Sequence, residues 1–171
     1  MDNVVFQKFD DKKEVFKMVE QYLSTEFSIH SFDDERPWGG FFVIQEADAE
    51  LFIKKFFPEL EIERLRIAGK LSPKILLVQP GKKLSWQYHH RRAEVWKLIN
   101  GEAGVVRSDD DHEKDLLFLE PGKSIRLKTR ERHRLVGLNN WGMIAEIWQH
   151  TDADHPSDED DIVRVQDDFG R

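Results

Sequence analysis

Two imidazoles, a carboxamide and a carboxylate lie between Gly81 and Gly101, in the stretch GKKLSWQYHHRRAEVWKLING. Gln87 and His89 are two apart, so an extended strand sends both side chains out of the same face. Glu94 follows five residues after His89, near enough to return on an adjoining strand or bulge. Side chains that converge in this way from a rigid sheet suit a divalent metal ion. Imidazole, carboxylate and a neutral oxygen fit zinc, manganese, iron or nickel at an open site, whereas a closed structural zinc site would favour thiolates. The chain has no cysteine. The competing reading makes His89 and His90 surface residues of an ordinary strand, and the spacing around them weighs against it.

Gly81, Gln87, His89, Glu94 and Gly101 are spaced as in the first metal motif of the cupins, which this stretch resembles, with Gln87 where a cupin normally has histidine. Leu84, Ser85, Gln87, His89, His90, Arg92, Ala93, Glu94 and Trp96 together resemble the signature of the cupin-type, or type II, mannose-6-phosphate isomerases. Trp86, Tyr88, Arg91 and Val95 depart from its commonest form, none of them at a proposed ligand position. Gly122 and His133 are placed as in the second cupin motif, and His133, Arg134 and Leu135 match the HRL of the isomerases. Lys128 and Arg130 stand where that motif has Pro and Gly, and the Asn that follows comes two residues late, as Asn139. Glycine tolerates a positive φ that arginine resists, so the conformation of this turn is left open. The ending also resembles the family: Glu159, Asp160, Asp161, Ile162, Arg164, Asp167, Gly170 and Arg171 follow its EDDIxRxxDxYGR pattern, with Phe169 for Tyr. An RPWG turn, Arg36 to Gly39, occurs upstream in the same isomerases. The resemblance runs over roughly residues 36 to 171.

It implies a mostly β fold, a cupin-type double-stranded β-helix or jelly-roll barrel with an N-terminal α-helix. Residues 1–35 would be a helical extension packed on the barrel, and residues 36–171 the cupin domain with a C-terminal tail. It also implies a metal held by Gln87, His89, Glu94 and His133, with zinc first and manganese, iron, cobalt or nickel as alternatives.

At 171 residues and 39% hydrophobic, the chain can bury one core. A net charge of -7 argues against nucleic acid as a partner, while an anionic small molecule is still admissible where cations cluster. No stretch resembles a signal peptide or approaches the roughly 20 apolar residues of a membrane span, so a cytoplasmic location is expected.

Asp11, with Glu14 three residues on, reads as a helix start, and Val15, Phe16, Met18, Val19, Tyr22 and Leu23 recur at helical spacing, predicting a helix over 11–25. Phe41–Ile44 and Ile75–Val78 read as strands. Residues 48–57 fit helix and buried strand equally, and the alternation from Leu60 to Ile67 is a weak strand signal. Gly104–Arg107 and Leu116–Leu119 are predicted as short strands about a solvated loop, SDDDHEKD, in which His112 has no role. Ser124–Lys128 and Met143–Gln149 follow as strands. The polar HTDADHPSDEDD reads as a loop or disordered tail, and a metal cluster at His150 and His155 is disfavoured.

The resemblance implies aldose–ketose isomerisation of a sugar phosphate, most simply mannose 6-phosphate to fructose 6-phosphate through an enediol. A Lewis acid would stabilise the developing charge, and a base must move the proton. His90 and Glu131 are the base candidates. Arg92 and Arg134 lead as phosphate ligands, because the guanidinium fork matches phosphate oxygens, followed by Arg36, Lys74, Arg164 and Arg171. No Gly-rich nucleotide loop is present, so GDP-mannose synthesis is not expected of this chain. The alternatives are another cupin isomerase, for example of a phosphoheptose, an epimerase or oxygenase, and a non-catalytic metal- and sugar-binding cupin. A homodimer is an admissible assembly.

Overall fold

The computed structural model describes residues 4–66 and 69–171. Helix α1, Lys12–Ser24, starts where Asp11 accepts a hydrogen bond from the Lys13 amide, and it buries Val15, Phe16, Val19 and Leu23. Phe16 stacks on Phe42 with ring centroids 5.2 Å apart. Lys12 Nζ donates to the Asp34 and Arg36 carbonyls, tying the helix to the RPWG turn. Strands β1, Ile29–Asp33, and β2, Gly39–Ile44, flank that turn. The ambiguous segment is helical: a 3-10 turn, Glu46–Asp48, leads into α2, Ala49–Phe56, which buries Phe52, Ile53 and Phe56 on one side.

The expected strand at Leu60–Ile67 is corrected. Ile62–Leu65 form a short helix, α3, whose one buried side chain is Leu65, and Ile67 lies outside the described residues. Leu60 and Ile62 are two apart, which suits a strand, but Ile62 and Leu65 are three apart, which suits a helical turn.

The remaining strands are β3, Lys74–Val78; β4, Trp86–Tyr88; β5, Arg92–Ser108; β6, Leu117–Phe118; β7, Ser124–Leu127; β8, Arg132–His150; and β9, Val163–Gln166. All pairings are antiparallel, in the order β1-β2-β3-β8-β4-β9, with β5 joined to β6, β7 and β8. The short strands expected at Gly104–Arg107 and Met143–Gln149 are parts of the two long strands β5 and β8. These pair along most of their length and shift register near Leu98 and Gly101. A glycine is required at that bend: Gly101 has φ +70, and a Cβ there would stand 1.8 Å from the Trp141 carbonyl oxygen.

The period of two sorts the side chains between two cores. Ile75, Leu77, Val95, Met143, Ala145 and Ile147 face the helices, in a cluster with the apolar stripe of α1 and the phenylalanines of α2. Leu76, Val78, Trp96, Leu98 and Ile144 face the barrel interior, with Leu127 and Leu135. The strands that put Leu76, Trp96 and Ile144 inward also put Lys74, Glu94 and Glu146 inward, two residues along each. The interior is therefore apolar at one end and polar at the other. Burying each large aliphatic or aromatic side chain contributes roughly 1.5–3 kcal/mol, and the apolar end supports the cost of enclosing the charged one. The result is a mostly β cupin-type barrel with an N-terminal helix. Among the described residues no helix is long and apolar enough to cross a membrane.

Candidate metal centre and cavity

The polar end gathers three of the four expected ligands tightly. His89, just past β4, Glu94 on β5 and His133 on β8 are buried, and each offers a ligand atom such that all lie within 4.8 Å of one another. Gln87 pairs with His133 across the β4–β8 ladder and lines the adjoining cavity, where its Oε1 accepts a hydrogen bond from Ser85 Oγ at 2.5 Å.

The imidazoles are set for metal. His89 Nδ1 lies 2.7 Å from the Asp161 carbonyl oxygen and His133 Nδ1 2.9 Å from that of Glu131. A carbonyl only accepts, so each Nδ1 carries a proton, and in the neutral ring Nε2 is the atom left to act as a ligand. His89 Nε2 then faces Glu94 Oε1 at 3.1 Å, and His133 Nε2 faces Glu94 Oε2 at 3.4 Å without any hydrogen-bond partner. In the neutral state the His133 lone pair opposes a carboxylate with no cation between them, whereas Arg92 bridges His89 Nε2 and Glu94 Oε1; a divalent ion among the three would relieve the opposition at His133, so these residues fit one. Burial foremost keeps the His89 imidazolium form disfavoured, which suits a neutral ligand. Burial alone would raise the Glu94 carboxyl, but positive charge beside it, from His89 when that ring is protonated and from Arg92 always, holds it well below the usual carboxylate range.

Above the cluster opens a cavity of about 460 Å³ lined by both polar and apolar side chains. Glu146 stands in its wall, accepting hydrogen bonds from the Trp96 indole at 2.7 Å and the Trp148 indole at 2.9 Å. Burial and then the charge of Glu94 push its carboxyl up to about 8. Sequence reasoning missed it as a site residue; the signal was a lone glutamate in the otherwise apolar run MIAEIW.

The expected phosphate ligands divide. Arg36, Lys74, Arg92, Arg164 and Arg171 line the cavity. Arg92 is largely committed: it donates to Glu94 Oε1, His89 Nε2, Ser157 Oγ and the Asp158 carbonyl, and stacks 3.6 Å above the Trp148 ring. Lys74 pairs with Glu159 and lies over the rings of Phe41 and Trp148. Arg36 pairs with Asp33, and Arg171 with Asp167. The Arg164 side chain, exposed at the rim, makes no hydrogen bond or ion pair among the described residues; partial burial and then the charge of Arg171 pull its pKa down, against the attraction of Asp167. Arg134 does not reach the cavity. It is buried, with Nε on the Leu84 carbonyl and its other nitrogens on Glu113 and Asp168.

Neither expected base points inward. His90 is exposed, its ring edge-on to Tyr88, because the strand that turns His89 in turns its neighbour out. Glu131 grips Arg107 and the Lys128 amide and lines a separate surface hollow. Burial would raise its carboxyl, but the bonds from Arg107 hold it low.

The turn before His133 forms despite its missing glycine. Arg130 adopts φ +65, and its amide donates to the His89 carbonyl at 2.8 Å. The segment after β8 is ordered around the site rather than a disordered tail. His150 is buried between Ser72 Oγ and the Ser157 amide, and β9 pairs with β4. His150, His155 and the neighbouring aspartates form no metal cluster among the described residues.

Residues 46–167 match the family model described as mannose-6-phosphate isomerase C-terminal. The chain belongs to this family. Among its relatives, the xanthan biosynthesis protein XanB of Xanthomonas campestris is 28% identical over the whole of this chain and 33% of that protein. The alginate biosynthesis protein AlgA of Pseudomonas aeruginosa is 28% identical over 96% of this chain and 28% of its own length. Mannose-1-phosphate guanylyltransferase of Escherichia coli K12 is 28% identical over 99% and 30%. The chain thus spans about a third of the length of the curated relatives it matches. A Bacillus subtilis oxalate decarboxylase variant superposes with a TM-score of 0.51 at 13% identity, covering 82% of this chain and 30% of that one. Vicilin from tomato, Solanum lycopersicum, gives 0.50 at 13% identity, covering 82% and 34%. Both likenesses are of fold, in keeping with a cupin barrel.

Proposed function

We propose that this barrel is a metal-dependent aldose–ketose isomerase of a sugar phosphate, most simply interconverting mannose 6-phosphate and fructose 6-phosphate. The observation that carries the reading is the cavity itself: three convergent ligand atoms at its base, a buried carboxyl in its wall and an unpaired guanidinium at its rim. A divalent cation held by His89, Glu94 and His133, with Gln87 beside them, would supply Lewis acidity for the carbonyl and hydroxyl oxygens of the sugar. Zinc suits two imidazoles and a carboxylate, and manganese, iron, cobalt and nickel accept the same donors.

The chain's own residues supply the rest. Arg164, with Arg36 and Arg171, binds the phosphate, since its guanidinium makes no hydrogen bond or ion pair among the described residues and offers a free fork to phosphate oxygens. Arg92 keeps the Glu94 carboxylate oriented. Glu146 replaces His90 and Glu131 as the proton carrier: its carboxylate takes the proton from the sugar C2 and returns it to C1, while the O2 hydroxyl proton passes to O1, so that the aldehyde becomes a hydroxymethyl group and C2 a ketone. Glu146 loses the main charge opposing its ionisation once Glu94 is neutralised.

The test is a coupled isomerase assay on mannose 6-phosphate with metal-stripped protein, repeated with each ion restored. Turnover that returns with metal and is abolished in Glu146→Gln, metal still bound, supports the proposal. Stoichiometric metal without turnover under any ion refutes it for this sugar and favours another sugar phosphate or a binding role.

A further inference from the structure

Resting on His89 as a metal ligand, we propose that Asp161 is a positioning residue of the metal centre, gripping the 89–91 turn so that its own carbonyl aims the His89 ring. Asp161 is 4% exposed. Its Oδ1 accepts the His90 amide at 3.0 Å, and its Oδ2 accepts the Arg91 amide at 3.0 Å and Ser157 Oγ at 2.5 Å. Its carbonyl accepts His89 Nδ1 at 2.7 Å. One residue therefore holds three consecutive positions of the metal turn across a sequence separation of about 70 residues.

Asp161 is itself fixed. Asp158 Oδ1 accepts the Asp160 and Asp161 amides, each at 3.0 Å, closing the loop that presents the carbonyl. Ser157 Oγ, besides donating to Asp161, accepts from Arg92 Nη1, and the Ser157 amide donates to His150 Nδ1. The loop is thereby keyed to β5 and to the end of β8. His133 has no such dependence, since its Nδ1 is held by Glu131, two residues away. The two imidazoles of one centre are thus oriented by different parts of the chain, and His133 serves as an internal control for His89.

An imidazole whose outer nitrogen is held enters coordination with its tautomer and rotation already chosen, and losing such a partner typically costs 10–100-fold in metal affinity. The carbonyl cannot be removed by substitution, but the side chain that anchors it can.

The test measures zinc affinity of the full chain by chelator competition, and the imidazole tautomers of the metal-free protein by ¹⁵N NMR. In Asp161→Ala, zinc affinity is expected to fall by about 10–100-fold, with His89 showing mixed tautomers and His133 keeping Nδ1–H. Asp161→Asn, which retains one acceptor but turns an amide donor toward an N–H, falls between. Ser157→Ala keeps both backbone bonds to Asp161 and gives a smaller loss in the same direction, and it decides the matter where Asp161→Ala does not fold. A folded variant with wild-type zinc affinity and an unchanged His89 tautomer overturns the proposal. These readouts need no sugar, so failure of the isomerase assay leaves them intact. If the wild-type chain binds no zinc, the ligand assignment falls, and the His89 tautomer in Asp161→Ala alone decides whether Asp161 positions the ring.

Discussion

Glu146 makes the fold sensitive to pH in a calculable way. Its carboxyl is enclosed, with an indole N–H on each oxygen, and burial together with Glu94 raises it from an ordinary 4.5 to about 8. The unfolded chain releases this proton near 4.5, whereas the folded chain keeps it until about 8. Between those values the unfolded state binds fewer protons, so stability is greatest below the lower value and declines as pH rises. One proton corresponds to about 1.4 kcal/mol per pH unit. From pH 5.5 to 7.5 the loss from this group is about 2–3 kcal/mol at most, because the unfolded group is not fully ionised at the lower pH and the folded group begins to ionise near the upper one. Glu146→Gln removes the titration and presents one indole with an amide donor, an initial cost of about 1–3 kcal/mol. Urea denaturation of the metal-free proteins at several pH values is the assay. The wild type is expected to start more stable at pH 5.5 and lose its lead toward pH 7.5. Parallel curves for the two proteins would refute the reasoning.

His89→Ala and His133→Ala are each expected to lose stoichiometric divalent metal, read by elemental analysis after dialysis, and full retention by both would remove the ligand assignment. Arg164→Ala should raise the KM for mannose 6-phosphate about 10–100-fold, with kcat within a few-fold, because a charge-assisted phosphate contact is worth about 1.5–3 kcal/mol in both ground and transition states. Arg134→Ala should instead leave the KM of the folded protein alone and lower its melting temperature, since it leaves the buried Leu84 carbonyl without its donor and breaks the ion pairs to Glu113 and Asp168. Arg130→Gly should raise stability by about 0.5–1 kcal/mol, relieving a left-handed arginine at the expense of a more flexible unfolded chain, and a clear loss in chemical denaturation would contradict it.

The centre was legible because its spacing is a property of strands: a side chain two positions along shares a face, so Gln87 and His89 needed no tertiary information to be paired. His90 and Arg134 mark where that ends. Each is adjacent in sequence to a ligand, and the same alternation that turns the ligand inward turns its neighbour away. Glu146 was hidden for a different reason. Its environment is assembled from Trp96 and Trp148 on two strands and Lys74 on a third, and their register is set only by the closed sheet. Leu60–Ile67 was misread because so short a segment holds both spacings, Leu60 and Ile62 two apart as in a strand and Ile62 and Leu65 three apart as in a helix. Asp161 looked like one acid in a solvated run, yet three hydrogen-bond donors from a distant turn and from Ser157 account for its carboxylate, which they hold down to about 2 against the effect of burial.

The docking of β9 against β4 gives this centre a history as well as a geometry. Synthesis proceeds from the N-terminus, so His89, Glu94 and His133 all exist before the carbonyl of Asp161 or the guanidinium of Arg164 has been made. A nascent chain of that length carries the donors without the brace, and would take up whichever ion is most abundant only weakly. The His89 ring is braced only once the segment carrying Asp161 folds back across the barrel. The orientation of one imidazole is thereby completed after both imidazoles and the carboxylate are already in place, and removing residues 157–171 would return them to that earlier, unbraced state.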